Sequence, residues 1–207
     1  MTVETWLAFT AATVVLLIIP GPTILLVASY ALGRGMRTAL PVAVGVALGD
    51  FTAMTLSMIG LGALLATSAL LFTALKWLGA AYLIWLGIRL WRAGGALHAA
   101  PRDEAAAPSR MLGHAWIVTA LNPKSITFFV AFMPQFVNPH GDFWAQMLVF
   151  EATFVTLAFL NAAAYAVIAS RTRSFVRSPR AVSIFNRVGG SLLIGAGLAT
   201  ATMRSSH

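Results

Sequence analysis

Long apolar runs separated by short charged connections organise this chain. Residues 5–33 carry no charged side chain, and similar apolar stretches cover 38–64, 70–90, 114–136 and 143–169. About 20 consecutive apolar residues are enough to cross a bilayer as a helix. A sixth stretch, 188–203, is shorter and rich in glycine. The pattern predicts an all-α polytopic membrane protein with six transmembrane helices, the last being short. Glu4 stands where a cleavable signal would carry Lys or Arg, and the first run is longer than a signal's apolar region. The first run is therefore expected to be retained as a span.

Composition agrees: the chain is 59% hydrophobic and only 10% charged, against about 25% charged in ordinary soluble domains. The net charge of +8 is informative through its placement. Arg34 and Arg37 lie in the first connection, Arg89, Arg92, Arg102 and Arg110 flank the third, and Arg171, Arg173, Arg177, Arg180 and Arg187 crowd the fifth. The second and fourth connections have neither Lys nor Arg. Because loops alternate sides, the odd ones are cytoplasmic by the positive-inside rule, and both termini face outward. Trp6 and Trp144 then fall near outer ends and Trp91 and Trp116 near inner ends, as an aromatic belt requires. No continuous basic face exists for nucleic acid; the basic loops suit anionic lipid headgroups.

Two of the apolar runs are interrupted. In "LLIIPGPTILLV" (16–27), Pro20, Gly21 and Pro22 break the first run; in "ALNPKSITFF" (120–129), Asn122, Pro123 and Lys124 break the fourth. Proline in a helix interior costs about 3 kcal/mol through its missing N–H and its ring. The Ala-, Pro- and charge-rich segment 93–110 reads as a cytoplasmic linker. It separates a first three-helix half (1–92) from a second (114–207), joined through 93–113. Three spans per half place the halves in inverted orientation, with a broken first helix in each, and transporters often bind substrate at such matched breaks. At ~1.5 Å per residue, Pro20 lies roughly 21 Å from the outer end of its span. Pro123 lies roughly 14 Å from the inner end of its own. Pro20 also precedes Asp50, and Pro123 precedes Glu151, by about one span-plus-loop.

Asn122 and Pro123 suit the N-cap and first position of a half-helix, and Pro22 can start another. The half-helix ending near Ile18 is expected to leave carbonyls without partners, tolerated in a bilayer only where they line a site. A zwitterion fits: its carboxylate toward the half-helix starts and Lys124, its ammonium toward freed carbonyls and an acid. A plain kink would account for Pro20 alone, but not for two matched breaks, one carrying a lysine.

Asp50, Lys76, Lys124 and Glu151 all lie inside spans, where each charge costs roughly 2.5–3.5 kcal/mol at the centre. Asp50 follows Gly45 and Gly49, a spacing that lets helices approach closely. Asp50 is expected to carry protons or meet the substrate amine, with an ion pair to Lys124 or Lys76 as the structural alternative. Lys76 and Glu151 either take part in coupling or pair with each other. Asn161 either bonds substrate or a neighbouring helix. With no cysteine and four scattered histidines, no metal site and no cofactor are expected. No nucleophile-base spacing points to an enzyme.

The stretches "PGP", "GVALGD", "LKWLGAAYLIWLG" and "NPKSITFFVAFMPQF" resemble the LysE/RhtB family of amino-acid exporters, in the family's order and over essentially the whole chain. The resemblance implies a small protein of the bacterial inner membrane that exports amino acids or derivatives with membrane energy. Its motif residues fall on Pro20, Gly21, Pro22, Gly49, Asp50, Lys76, Gly79, Tyr82, Asn122, Pro123, Lys124, Pro134 and Gln135. The implied partners are a small amino-acid substrate, protons as a candidate driving ion, the bilayer and, as an open case, a second copy of the chain. One mid-membrane acid suits homoserine, threonine or homoserine lactone better than lysine or arginine. A membrane scaffold without a transport cycle is the competing reading, and it gives no reason for two matched breaks.

Overall fold

A computed structural model of the chain describes residues 1–19, 21–34, 39–67, 107–138 and 140–171, with scattered positions between 77 and 92 and between 183 and 198. Pro20, Lys76, Gly79, Tyr82 and most of the third and sixth apolar runs lie outside the described residues. The elements are α1 (Val3–Ile18), α2 (Pro22–Arg34), α3 (Ala39–Thr67), α4 (Pro108–Ala120), α5 (Pro123–Thr127) and α6 (Phe143–Arg171). No strand occurs among the described residues. Among the described residues three helical stretches are long and apolar enough to cross a membrane: Ala39–Gly60, Pro108–Phe136 and Phe143–Arg171. α1 and α2, bent by 57° at the Pro-Gly-Pro segment, make a fourth when the pair is counted as one span. The described residues thus hold up to four of the six expected spans, and the chain is a helical membrane protein.

Local chemistry explains the boundaries. Thr2 caps α1 by accepting from the Thr5 N–H. α4 begins at Pro108 and not near His114, so what reads as the end of the linker is already helix. Proline's fixed φ suits the first helical position, and a polar Pro-Ser-Arg turn can extend a span into the headgroup region. α5 continues without interruption through a π-turn (Phe128–Phe132) and a 3₁₀ turn (Met133–Phe136). Pro134 has no N–H for the carbonyl four residues back, and the chain answers by shifting register: Met133 N–H reaches back to Phe128 O. Gln135 Nε2 then donates to Ala131 O.

Two apolar cores result. One gathers Phe9, Phe128, Phe129, Phe150 and Phe154 with Leu16, Leu17, Ile19, Ala53, Met54, Met58 and Ala158. The rings pack edge-on or tilted, with Phe9 and Phe150 centroids 4.5 Å apart and Phe129 and Phe154 4.7 Å apart. The other core is built from small residues of α2, α3, α4 and α6, including Ala31, Val42, Ala43, Val46, Ala115, Ala162 and Ala166. Its tightness comes from glycine. A methyl at Gly45 would run into the Leu112 carbonyl, and one at Gly49 would lie 2.6 Å from Thr119 Cβ and 2.7 Å from Trp116 O. The helix surfaces of α3 and α4 therefore touch backbone to backbone there.

The third and sixth apolar runs meet the same way. A methyl at Gly87 would sit 2.6 Å from Gly190 O and 3.0 Å from Ile194 N. One at Gly190 meets Gly87 O as closely and lies 3.0 Å from Trp91 N. The contact is reciprocal: Gly87 to Gly190 and Trp91 to Ile194 share one sequence interval, the same interval that separates Pro20 from Pro123. α3 and α6 are both 29 residues long.

Candidate functional site

The polar centre lies between the two cores. On α3, Val46 belongs to the small-residue core and Ala53 to the aromatic one, with Asp50 between them. On α6, Ala158 and Ala162 belong to different cores and Asn161 stands at the change. Both chain breaks open into this layer. Asp50, Lys124, Asn122, Ser125, Thr23 and Thr119 are all buried in it. Asp50 is only 2% exposed and Lys124 only 6%.

At the first break, the geometry follows from the prolines. In an α-helix each N–H serves the carbonyl four residues earlier. Pro20 and Pro22 have no N–H, so the carbonyls of Leu16 and Ile18 lose their helical donors whatever the local path. Four consecutive carbonyls at the end of α1 are taken up by side chains instead. Lys124 Nζ donates to Leu16 O (3.0 Å) and Ile19 O (2.7 Å). Asn161 Nδ2 donates to Leu17 O (3.0 Å) and Tyr165 Oη to Ile18 O (2.7 Å). The expectation of unpartnered carbonyls is thereby corrected: the chain itself supplies the donors. Lys124 lies on the oxygens that the sequence reading reserves for a substrate ammonium, and Asn161 bonds a neighbouring helix. The end of the lysine side chain packs against Gly21, where a methyl would meet it in ordinary van der Waals contact, 3.4 Å from Nζ and 3.5 Å from Cε. Pro22, the first residue of α2, is exposed, and Gly21 O accepts from Leu25 N–H (3.0 Å).

The second break closes locally, as its sequence predicts. Asn122 Oδ1 accepts from the Lys124 N–H (3.1 Å), capping α5, with Pro123 in the first helical position. Asn122 Nδ2 reaches across to Thr23 Oγ1 (3.1 Å), which also meets the Thr119 hydroxyl (3.3 Å). These bonds join the start of α2 to the second break, a link carried by Thr23 and Thr119 that the sequence reading missed.

The Asp50 carboxylate faces the Ser125 side chain and the Lys124 charge. Its Oδ1 is buried with no hydrogen-bond partner among the described residues. Lys124 therefore acts on Asp50 through space while bonding to carbonyls. Glu151 accepts a hydrogen bond from the Thr55 hydroxyl of α3; its expected pairing with Lys76 lies outside the described residues. In the register set by Pro20 and Pro123, the counterpart of Asp50 is Thr153, so Glu151 falls two residues off and on another helix face. Among the described residues no group of three His, Cys, Asp or Glu side chains could hold a metal ion. Tyr165 could have been found from its spacing: Asn161 and Tyr165 are one turn apart beside Ala158, Ala162 and Ala169 of α6.

Membrane-length helices with a buried acid and lysine where two of them break define a polytopic membrane protein with a polar centre. The family model for the LysE type translocator matches residues 14–204, and the chain belongs to that family. It is 37% identical over 205 residues to an uncharacterized membrane protein of Vibrio cholerae, covering 99% of this chain and 100% of that one. A homoserine/homoserine lactone efflux protein of Salmonella typhimurium is 36% identical over 203 residues, 97% of this chain and 98% of its own. A leucine efflux protein of Enterobacter is 31% identical over 147 residues, 70% of each. No solved structure matches the chain.

Proposed function

We propose that this protein is a secondary exporter of neutral amino acids and close derivatives, homoserine, homoserine lactone, threonine or leucine in kind, in the bacterial inner membrane. The observation that carries the reading is the meeting of two helix breaks around Asp50 and Lys124, buried between two apolar cores. A structural kink needs no such charges, and intramembrane charges mark substrate or ion pathways. The formal charges of Asp50 and Lys124 cancel, so a zwitterion such as homoserine, threonine or leucine enters without leaving net charge, and a lactone does so as its free amine. The efflux relatives support the direction and the substrate class.

The binding region comprises Pro20, Gly21, Pro22, Asp50, Asn122, Pro123 and Lys124, with the substrate ammonium toward the α1 carbonyls and its carboxylate toward Lys124 and the start of α5. Asp50, with one free carboxylate oxygen, is the group we assign to coupling with a proton gradient. To Lys76 and Glu151 we assign a part in that coupling or an ion pair with each other. Two inverted halves, 1–92 and 114–207, with both termini outside, form the frame. The shared interval of Pro20–Pro123 and Gly87–Gly190, the reciprocal glycine contact and the equal lengths of α3 and α6 support that frame.

The test uses inside-out membrane vesicles from cells overproducing the full chain. Radiolabelled leucine and homoserine should accumulate when respiration acidifies the lumen, and an uncoupler should abolish the uptake. Vesicles that accumulate neither substrate above control membranes would overturn the reading.

A further inference from the structure

The oxygens best placed to receive a substrate ammonium are already occupied by an ammonium. Leu16 O and Ile19 O hold Lys124 Nζ at 3.0 and 2.7 Å. This is the chemistry an amino acid's own –NH₃⁺ would meet: a cation against carbonyls at the negative end of a helix. The lysine reaches them from the opposite half of the chain. In the Pro20–Pro123 register Lys124 is the counterpart of Gly21, and its stem lies against Gly21 itself. Nearby, buried Asp50 keeps one oxygen without a partner among the described residues. An ammonium leaving the carbonyls therefore has a carboxylate to go to.

We propose that Lys124 is a tethered occupant of the substrate's ammonium seat, and that the amino acid enters by exchanging its own ammonium for that of Lys124 on Leu16 O and Ile19 O. The displaced lysine then pairs with Asp50 and with the incoming carboxylate. This rests on the exporter reading above and specifies its site. Exchange explains why a buried carbonyl seat can stand empty of substrate in a membrane: the seat is never left unpartnered, which in hydrocarbon would be costly. It also sets a selectivity rule. The seat demands two N–H donors, so a primary ammonium fits, a quaternary one does not, and a carboxylic acid without an amine cannot start the exchange.

Binding to the detergent-purified full chain tests this with four probes: leucine, the carboxylate-free leucinol, the amine-free 4-methylpentanoate, and N,N,N-trimethyl-leucinol, which has the charge of leucinol and no N–H. With wild-type protein, leucinol should displace labelled leucine and 4-methylpentanoate should not. In Lys124→Met, which keeps the stem and removes the competitor, leucinol should bind at least about tenfold more tightly, on the scale of one charge-assisted hydrogen bond. The trimethyl compound should gain little. An equal gain for both amines would mean that Lys124 merely repels cations, and unchanged or weaker leucinol binding would place it elsewhere in the cycle; either result overturns the exchange. Should Lys124→Met fail to fold, the wild-type competition decides, because displacement by 4-methylpentanoate as strong as by leucinol would make Lys124 a standing carboxylate anchor. Wild-type protein that binds neither leucine nor homoserine would overturn the exporter reading and the exchange with it. Leucine binding with the wrong order of probes overturns the exchange alone.

Discussion

The two breaks in this molecule solve one problem in different ways. At the second, Asn122 caps the helix it precedes, and the bond spans two residues. At the first, every exposed carbonyl of α1 depends on residues more than 100 positions away: Lys124, Asn161 and Tyr165. A helix start needs donors satisfied, and a short side chain beside it can do that. A helix end needs donors delivered, and Leu, Ile, Gly and Pro have none on their side chains. The cap of the second break is thus a local feature, formed as soon as its own segment folds. The first is complete only when α5 and α6 have docked, so it is where movement between elements alters hydrogen bonding most.

Gly49→Val should erase the comparison altogether. Its side chain would press on Thr119, Trp116 and Ala120 beside the second break, overpacking that costs about 1–3 kcal/mol or more. We expect loss of the monodisperse protein by size exclusion in detergent. Asn122→Ala should lower the thermal midpoint next most strongly, removing a cap of about 1 kcal/mol together with the bond to Thr23. Faster hydrogen exchange should then appear at 124–126 and not at the end of α1. Asn161→Leu should do the reverse, leaving Leu17 O without its donor at about 0.6–1.7 kcal/mol, with exchange rising in the α1 segment alone. Tyr165→Phe is expected to be mildest, near the low end of that range, since its bond to Ile18 O lies toward the exposed side of α6. The double variant of Asn161 and Tyr165 sharpens the point: a jointly held helix end should give a non-additive loss of thermal midpoint. Simple additivity would mean that the first break is held bond by bond.

What the sequence makes legible follows the same division. Asn122-Pro123 announces its own cap, and Gly45 and Gly49 announce a close helix crossing, because each signal is confined to one segment. The Pro-Gly-Pro segment announces a break but not what heals it, since the healing donors are separated from it by most of the chain. Asn161 reads as a helix contact more readily than as a substrate ligand, but its partner is hidden until α6 is seen against α1. The early start of α4 at Pro108 is hidden by its Ala- and Pro-rich neighbourhood, which has the composition of a linker. The π and 3₁₀ turns after Thr127 are legible in hindsight from Pro134, whose missing N–H must be absorbed upstream. Asp50 is plain in the sequence as a costly mid-membrane charge. Its free oxygen is a matter of distances, which no linear pattern encodes.

The crossing at Gly87 and Gly190 has a mechanical meaning. Helices that mesh through side chains resemble gears: turning one against the other forces knobs out of holes, against interiors packed as densely as organic crystals. Here each backbone lies directly on the other's glycine, with a carbonyl where a side chain would otherwise stand. Such a contact works as a plain bearing. It fixes the distance between two bodies at that point, while Ile194 Cγ1 beside Gly87 and Trp91 Cβ beside Gly190 act as stops that limit how far one segment turns on the other.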